Sequence, residues 1–254
     1  MDYSDSLNSG SVPKRRPAKV SELIAREILQ DIADQKISPG TKLPSEIEMS
    51  ERFGVARASL REGLRILEIH GLITIKPGPG GGPVVDSISS SDLAQTLTFF
   101  LQASNVTVRD VVQARLILEP VMARQAAEKV DPELNDSLKQ SIEKADQAVD
   151  SGSHEEYLKV KVGFHQLISA ASGNGILALL GGALQEIYLS RMRPYYLDNE
   201  ERKKISLNHK KIAEAIASGD GDKAEELMRS HMEESVGRIE ERLTGFLNEK
   251  IGWS

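Results

Sequence analysis

The sequence predicts a mainly α-helical protein in two parts: a small module of three helices and a β-hairpin, then an all-α bundle of six or seven helices. Three observations predict it. Three apolar helical patterns in the first 70 residues are followed by two short β-type runs around a Gly/Pro-rich turn. From Leu93 onward every apolar pattern has helical spacing, interrupted only by turn signals. Charge divides at the same place: residues 13–78 carry 12 Lys/Arg against 9 Asp/Glu, a net of +3, and the remainder carries 20 against 29, a net of −9.

Residues 1–16 are polar, hold the basic patch Lys14, Arg15 and Arg16, show no periodicity, and read as a disordered arm. Val20, Ile24, Ile28 and Ile32 recur every four residues, with Leu23 beside them, so a helix buries this stripe until Pro39-Gly40 turns the chain. Ser45 and Glu48 have capping-box spacing and start a second, short helix that Gly54 stops. A third helix is expected from about Ala56 to His70, with Leu60, Leu64 and Leu67 inward and Gly71 as its stop. Leu72–Ile75 and Val84-Val85 flank the Pro77–Pro83 turn as the two strands of a hairpin. Three helices and a hairpin are the layout of a winged helix-turn-helix, here over 17–86. Ser87–Ser91 has linker composition and leads into a connecting helix, the pair spanning 87–104. Turn signals near Asn105, Asp131-Pro132, Ser151-Gly152, Gly173–Gly175, Asp198 and Gly219–Gly221 divide the bundle, expected over 105–249, and leave 250–254 as a tail.

A chain of 254 residues with 39% hydrophobic and 28% charged residues can bury a sizeable core as one large domain or two small ones. With no cysteine it has no disulfide framework, thiolate zinc finger, iron–sulfur site or Cys nucleophile. The longest uncharged apolar stretch, Gly175–Leu184, is far short of a membrane span. The polar, acidic N-terminus has no apolar region of signal-peptide type. A cytoplasmic, nucleoid-associated protein with no membrane partner is expected.

Two constellations carry chemistry. Arg57, Arg61 and Arg65 lie at i, i+4 and i+8, on one face of the third helix beside the leucine stripe, with Ser59 among them. The second helix of a helix-turn-helix enters the major groove N-terminal end first, and a guanidinium fork can grip phosphate or the O6/N7 edge of guanine. An ordinary solvated basic face would show the same three arginines; the short helix before them, the turn at Gly54 and the hairpin after them favour DNA. The glycine-rich tip has no GK[ST] and no helix opening after it, so it is no phosphate-cradling loop. In the second half, His165, His209 and His231 fall on three different expected helices. Three imidazoles meeting in a bundle could bind a metal such as zinc with one position open, although spacing alone fits packed or surface histidines as well. His70 and His154 carry no expected role, and Tyr157, Tyr188, Tyr195 and Tyr196 read as packing.

The stretch LPSEIEMSERFGVARASLREGLRILEIHGLITIKPGPGG resembles the N-terminal domain of the GntR family of bacterial transcription regulators, over about residues 18–85. The resemblance implies that Arg57 and Arg61 contact operator DNA, that Ser59 assists, and that Gly78 at the wing tip approaches the minor groove. Two positions depart from the family. Ile47 stands where an arginine is common, and Ala56 where Ser or Thr usually caps the helix, removing a cap worth about 1 kcal/mol.

The segments VTVRDVVQARLILEPVMARQAAE, VGFHQLISAASGN and NHKKIAEAIASGDGDKAEELMRSHMEES resemble the effector domain of the FadR subfamily, the FCD domain, over about 105–249. The resemblance implies a divalent metal on His165, His209 and His231, with zinc, nickel and manganese as the candidates, and an aspartate four residues before the first histidine. That position is Lys161 here. Either the histidines still hold a metal completed by water or effector, or Lys161 takes the cation's place and grips an anionic effector directly. Arg115 is implied to face the same cavity; by spacing alone it equally forms an i, i+4 salt bridge to Glu119. The resemblance as a whole implies a ligand-responsive repressor: a homodimer on a pseudo-palindromic double-stranded operator, switched by a small anionic metabolite. Two rival classes are a metal-dependent hydrolase using the three histidines and a DNA-bound regulator without an effector. The first normally wants a positioned Glu or Asp base, the position nearest His165 holds Lys161, and there is no HExxH or GxSxG motif, so no enzyme is expected.

Overall fold

The structure, a computed structural model, describes residues 19–78, 80–87 and 89–252; the arm expected over 1–16 and the end of the expected tail, 253–254, lie outside the described residues. The chain divides into two compact units, residues 1–88 and 89–254.

The first unit holds α1 (Val20–Asp34), α2 (Glu46–Phe53), α3 (Arg57–Ile69), β1 (Ile73–Lys76) and β2 (Gly82–Val85). The start of α2 is the expected reciprocal cap: the Ser45 N–H donates to Glu48 Oε2 at 2.7 Å and the Glu48 N–H to Ser45 Oγ at 3.3 Å. Gly54 ends the helix in the left-handed region, φ 63°, which a side chain would strain, and so lets α3 begin three residues later. Ala56 stands at the start of α3 with no side-chain cap. Leu60, Leu64 and Leu67 form the buried stripe of α3.

The inward face of α1 differs from the expected stripe. Ile24 and Ile28 are buried, but Val20 and Leu23 are about half exposed, at 52% and 49%, and Ser21 and Ala25 point inward instead. The reason lies on α3, where Gly63 brings the two helices together. A Cβ there would stand 2.9 Å from Ile24 Cγ2 and 3.0 Å from the Ser21 carbonyl oxygen, so α3 approaches α1 closely along its Ser21 and Ile24 side, and that side faces inward.

The hairpin pairs Ile73 with Val85 through Lys76 with Gly82, so β2 begins two residues earlier than expected. Residues 40–43, expected only as connector, line the free edge of β2: the Val85 N–H donates to Thr41 O and the Leu43 N–H to Pro83 O, both at 2.9 Å. Lys42 then reaches the wing tip, its Nζ donating to Gly80 O at 2.7 Å.

Among the described residues the second unit holds seven helices: α4 (Ser90–Ala103), α5 (Val108–Lys129), α6 (Pro132–Asp150), α7 (His154–Ala171), α8 (Gly175–Met192), α9 (Asn199–Ala217) and α10 (Gly221–Arg242), then a 3-10 turn at Phe246–Asn248. Ser89, Thr107, Asp131, Ser153, Asn174, Asp198 and Asp220 cap their starts in that order. One core gathers Ala123 of α5, Leu138 of α6, Phe164 of α7, Ile216 of α9 and Met228 of α10. A second gathers Ala94 of α4, Val112 of α5, Ile187 of α8, Ile239 of α10, and Phe246 and Ile251. The helix expected to connect the two parts therefore packs on α8 inside this unit. The segment 250–252, expected as tail, is also packed: Ile251 is 2% exposed and its N–H donates to Val106 O at 2.8 Å. No helix among the described residues is long and apolar enough to cross a membrane.

Candidate metal centre and nucleic-acid interface

Four helices of the second unit bring the site together: α5 supplies Arg115 and Glu119, α7 supplies Lys161 and His165, α9 supplies His209, and α10 supplies His231. All six residues are at most 5% exposed. Along α5 and α7 the i, i+4 spacing stacks each pair one turn apart on the inward face.

The three histidines meet. One ligand-type nitrogen of each lies within 4.8 Å of the other two, and the ring centroids are 4.8–5.4 Å apart. The Phe164 ring lies parallel to His209 at 4.0 Å and fixes its plane. Burial, followed by the neighbouring imidazoles and Lys161, holds His209 and His231 well below the usual histidine range. Both rings are therefore neutral at pH 7, the state that donates a lone pair. Among the described residues no hydrogen-bond partner reaches the buried His209 Nε2 or His231 Nδ1, and such orphaned atoms are costly unless something meets them. The donor set fits a divalent cation: three converging neutral imidazoles are a ligand set that zinc takes.

His165 Nδ1 lies 2.6 Å from Glu119 Oε2, a close approach without good hydrogen-bond alignment, while Glu119 Oε1 accepts from Arg115 Nε at 2.6 Å. Burial raises the Glu119 carboxyl, but Arg115 and then His165 outweigh it and hold the group ionised, well below the ordinary carboxylate range. Burial also lowers His165, against the pull of Glu119. A carboxylate against the imidazole fixes ring orientation and raises its basicity, as partners of ligand histidines do. Arg115 thus forms the i, i+4 salt bridge to Glu119 and also lines the inner of two neighbouring cavities.

Lys161 is 5% exposed, and no hydrogen bond or ion pair to its ammonium is found among the described residues. Its Nζ stands 5.8 Å from the centre of the Tyr188 ring, whose face also carries the Arg115 guanidinium at 4.3 Å. Burial, with Arg115 and Arg238 adding, lowers Lys161 to about 7. Two small cavities meet at Lys161, Tyr188, Ser235 and Ile239. The inner one, about 10 Å³, touches Arg115, His165 and His231; the outer one, about 40 Å³, is walled by Tyr195, Tyr196 and Arg238. Ligand pockets usually measure about 300–1,000 Å³, so this chamber is closed down to the room of a water or two.

In the first unit, Arg57 is the first residue of α3 and is exposed; Arg61 and Arg65 follow one and two turns on, each 69% exposed. Arg61 Nε bonds Glu46 Oε2 at 2.7 Å and Arg65 Nη1 bonds Glu68 Oε2 at 2.6 Å. Ser59 is half-buried, and Gly78 is exposed at the wing tip with φ 92°.

Two family profiles match the chain: "Bacterial regulatory proteins, gntR family" over residues 20–81 and "FCD domain" over residues 110–234. The chain is 31% identical over 228 residues to the HTH-type transcriptional repressor NanR of Enterobacter sp. (strain 638), covering 86% of each protein. It is 30% identical over 247 residues to the HTH-type transcriptional repressor NanR of Escherichia coli (strain K12 / DH10B), covering 91% of this chain and 92% of that one. The chain belongs to the gntR family. It is a transcription regulator of that family with a C-terminal FCD domain, and not a member of an enzyme family. Among solved structures, Streptococcus agalactiae GntR shares the fold, with a TM-score of 0.65 at 24% identity over 86% of this chain and 99% of that one.

In this gntR-family regulator the arginines and Gly78 fall within the first match, and Arg115, Glu119, Lys161 and the histidines within the second. Sequence reasoning missed several residues that shape these sites. Glu119 was legible as an arginine partner, but its second oxygen against His165 depends on a contact between helices. Tyr188, expected only to pack, floors the chamber under both cations. Arg238, with a buried Nη2 lacking a partner, and Lys42 at the wing carry no local signal at all.

Proposed function

We propose that this gntR-family regulator is a repressor that binds a pseudo-palindromic operator as a homodimer in the cytoplasm and is switched by a small anionic metabolite in its FCD domain. The observation that carries the effector reading is the closed chamber itself: three neutral imidazoles with orphaned nitrogens stand beside an unpaired buried ammonium and a buried guanidinium. His165, His209 and His231 would hold a divalent cation, zinc by preference of imidazole donors, with nickel or manganese as alternatives. Such a cation supplies a Lewis-acidic open position to which a carboxylate or hydroxyl oxygen of the effector can bind. Lys161 and Arg115 would neutralise the rest of the anion, Lys161 becoming fully protonated as it does so. Because the chamber is too small for a metabolite, binding selects a more open arrangement of the bundle, and the switch is a shift of population toward it. Phe100, Ile117 and Ile176 leave 67–71% of their surfaces uncovered, side chains that a second copy would cover in the dimer.

Arg57, Arg61 and Arg65 would read the major groove, with Ser59 at the helix start and Gly78 at the minor groove. The test is fluorescence anisotropy on duplexes selected from a random pool with the wild-type protein. Arg57→Ala is expected to weaken binding by about 1–3 kcal/mol and to relax the preferred sequence. Wild-type binding by Arg57→Ala would reject the assigned face.

A further inference from the structure

We propose that residues 245–252 form a strap that positions the outer wall of the effector chamber, with Glu249 as its positioning residue, and ties that wall to the junction between α4 and α5. Naming the cavity an effector chamber rests on the function proposed above; the tie itself does not.

Several independent contacts make the strap. Phe246 and Leu247 of the 3-10 turn are buried in the second core, and the Phe246 ring meets Tyr195 edge-on at 4.6 Å. The Glu249 carboxylate accepts from the Tyr195 hydroxyl at 2.9 Å and from Arg191 Nη2 at 3.3 Å. The backbone of the same residue faces the other way, its carbonyl oxygen accepting from the Val108 N–H at 2.9 Å, at the first residue of α5. Lys250 pairs with Thr107 as an isolated β-bridge, and its Nζ donates to Asn105 Oδ1 at 2.6 Å. The Ile251 N–H donates to Val106 O at 2.8 Å. One residue thus holds Tyr195 with its side chain and α5 with its main chain, and the next two bind the whole 105–107 link.

Tyr195, Tyr196 and Leu197 wall the outer cavity, in the non-helical stretch between α8 and α9. A ligand larger than the outer cavity's 40 Å³ enters when a wall moves, and Tyr195–Leu197 are the part of that wall lying outside the helices. If Tyr195 moves, it either leaves Glu249 or draws the strap with it, and the strap is bonded to residues 105–108. Those residues follow directly on α4, the helix that starts at Ser90, where the second unit begins. The position of the wall is thereby felt at the element joined covalently to the DNA-reading unit.

The test is hydrogen exchange by mass spectrometry on the full chain without added ligand. Glu249→Ala is expected to raise exchange at least about tenfold in both 193–198 and 104–108, leaving α6 unchanged. Glu249→Gln keeps an acceptor for Tyr195 and is expected to stay near wild type, a rescue that loss of packing alone would not give. If Glu249→Ala does not fold, Tyr195→Phe, which removes only the hydroxyl, decides by the same two segments. An increase confined to 245–252 in the folded variant would overturn the proposal. A second readout, release of zinc from the preloaded protein to a chelator, is expected to be several-fold faster in Glu249→Ala at unchanged stoichiometry; an unchanged rate would overturn the positioning of the chamber wall. A wild type that takes up no zinc would count against the metal reading alone, since the exchange measurement needs no metal.

Discussion

Lys161→Met tests the electrostatics of the chamber most sharply. Methionine has nearly the length of lysine and removes only the charge. In the folded protein burial lowers Lys161 from 10.5 to about 7. Between pH 7 and 10.5 the unfolded chain therefore binds a proton that the folded chain does not, and stability rises with pH across that window. Below pH 7 both states are protonated and the full cost of burying the ammonium is present. At about 1.4 kcal/mol per pH unit this cost reaches at most about 5 kcal/mol, which for a chain of this size is on the order of 10 °C in unfolding midpoint. The assay is thermal unfolding of wild type and variant with chelator present, from pH 7 to pH 10. The midpoint of Lys161→Met is expected above wild type by up to that amount at pH 7, with the gap narrowing steadily toward pH 10. A variant less stable than wild type throughout, or a gap that does not change with pH, would refute the assignment of an unpaired buried ammonium.

Two further outcomes follow from the same site. Lys161→Asp exchanges a repelling cation for a carboxylate one turn from His165 and is expected to tighten zinc binding at least about 100-fold in a competition titration; unchanged affinity would mean that Lys161 does not face the cation. His209 and His231 are held neutral by burial, so the stability they contribute is present above their unfolded value of 6.5 and falls as pH drops below it. The unfolding midpoint of the chelator-treated protein is expected to fall between pH 7 and pH 5, and to fall less steeply in His231→Leu.

What the sequence made legible was local. The Ser45–Glu48 cap, the leucines of α3 and the Gly54 stop each act within one helical turn, and each stands where spacing placed it. The three histidines were legible as candidates because they lie on separate helices, but whether they meet is decided by how α7, α9 and α10 pack, over gaps of 44 and 22 residues. Glu119 shows the boundary well: its bond to Arg115 follows from i, i+4 spacing, whereas its approach to His165 joins α5 to α7. The inward face of α1 departs from its apolar stripe because periodicity takes no account of a close approach at Gly63 on the partner helix. The strap was invisible because Phe246, Leu247 and Ile251 are too few and too irregular to show a period, and their burial depends on the ends of distant helices.

The measurement closest to the central claim is the metal content of untagged protein, purified without chelator and read by elemental mass spectrometry. About one zinc, nickel or manganese ion per chain is expected, retained by Lys161→Met and lost from His165→Ala, His209→Ala and His231→Ala. A folded wild-type protein that carries no metal and takes up none from added zinc would contradict the account.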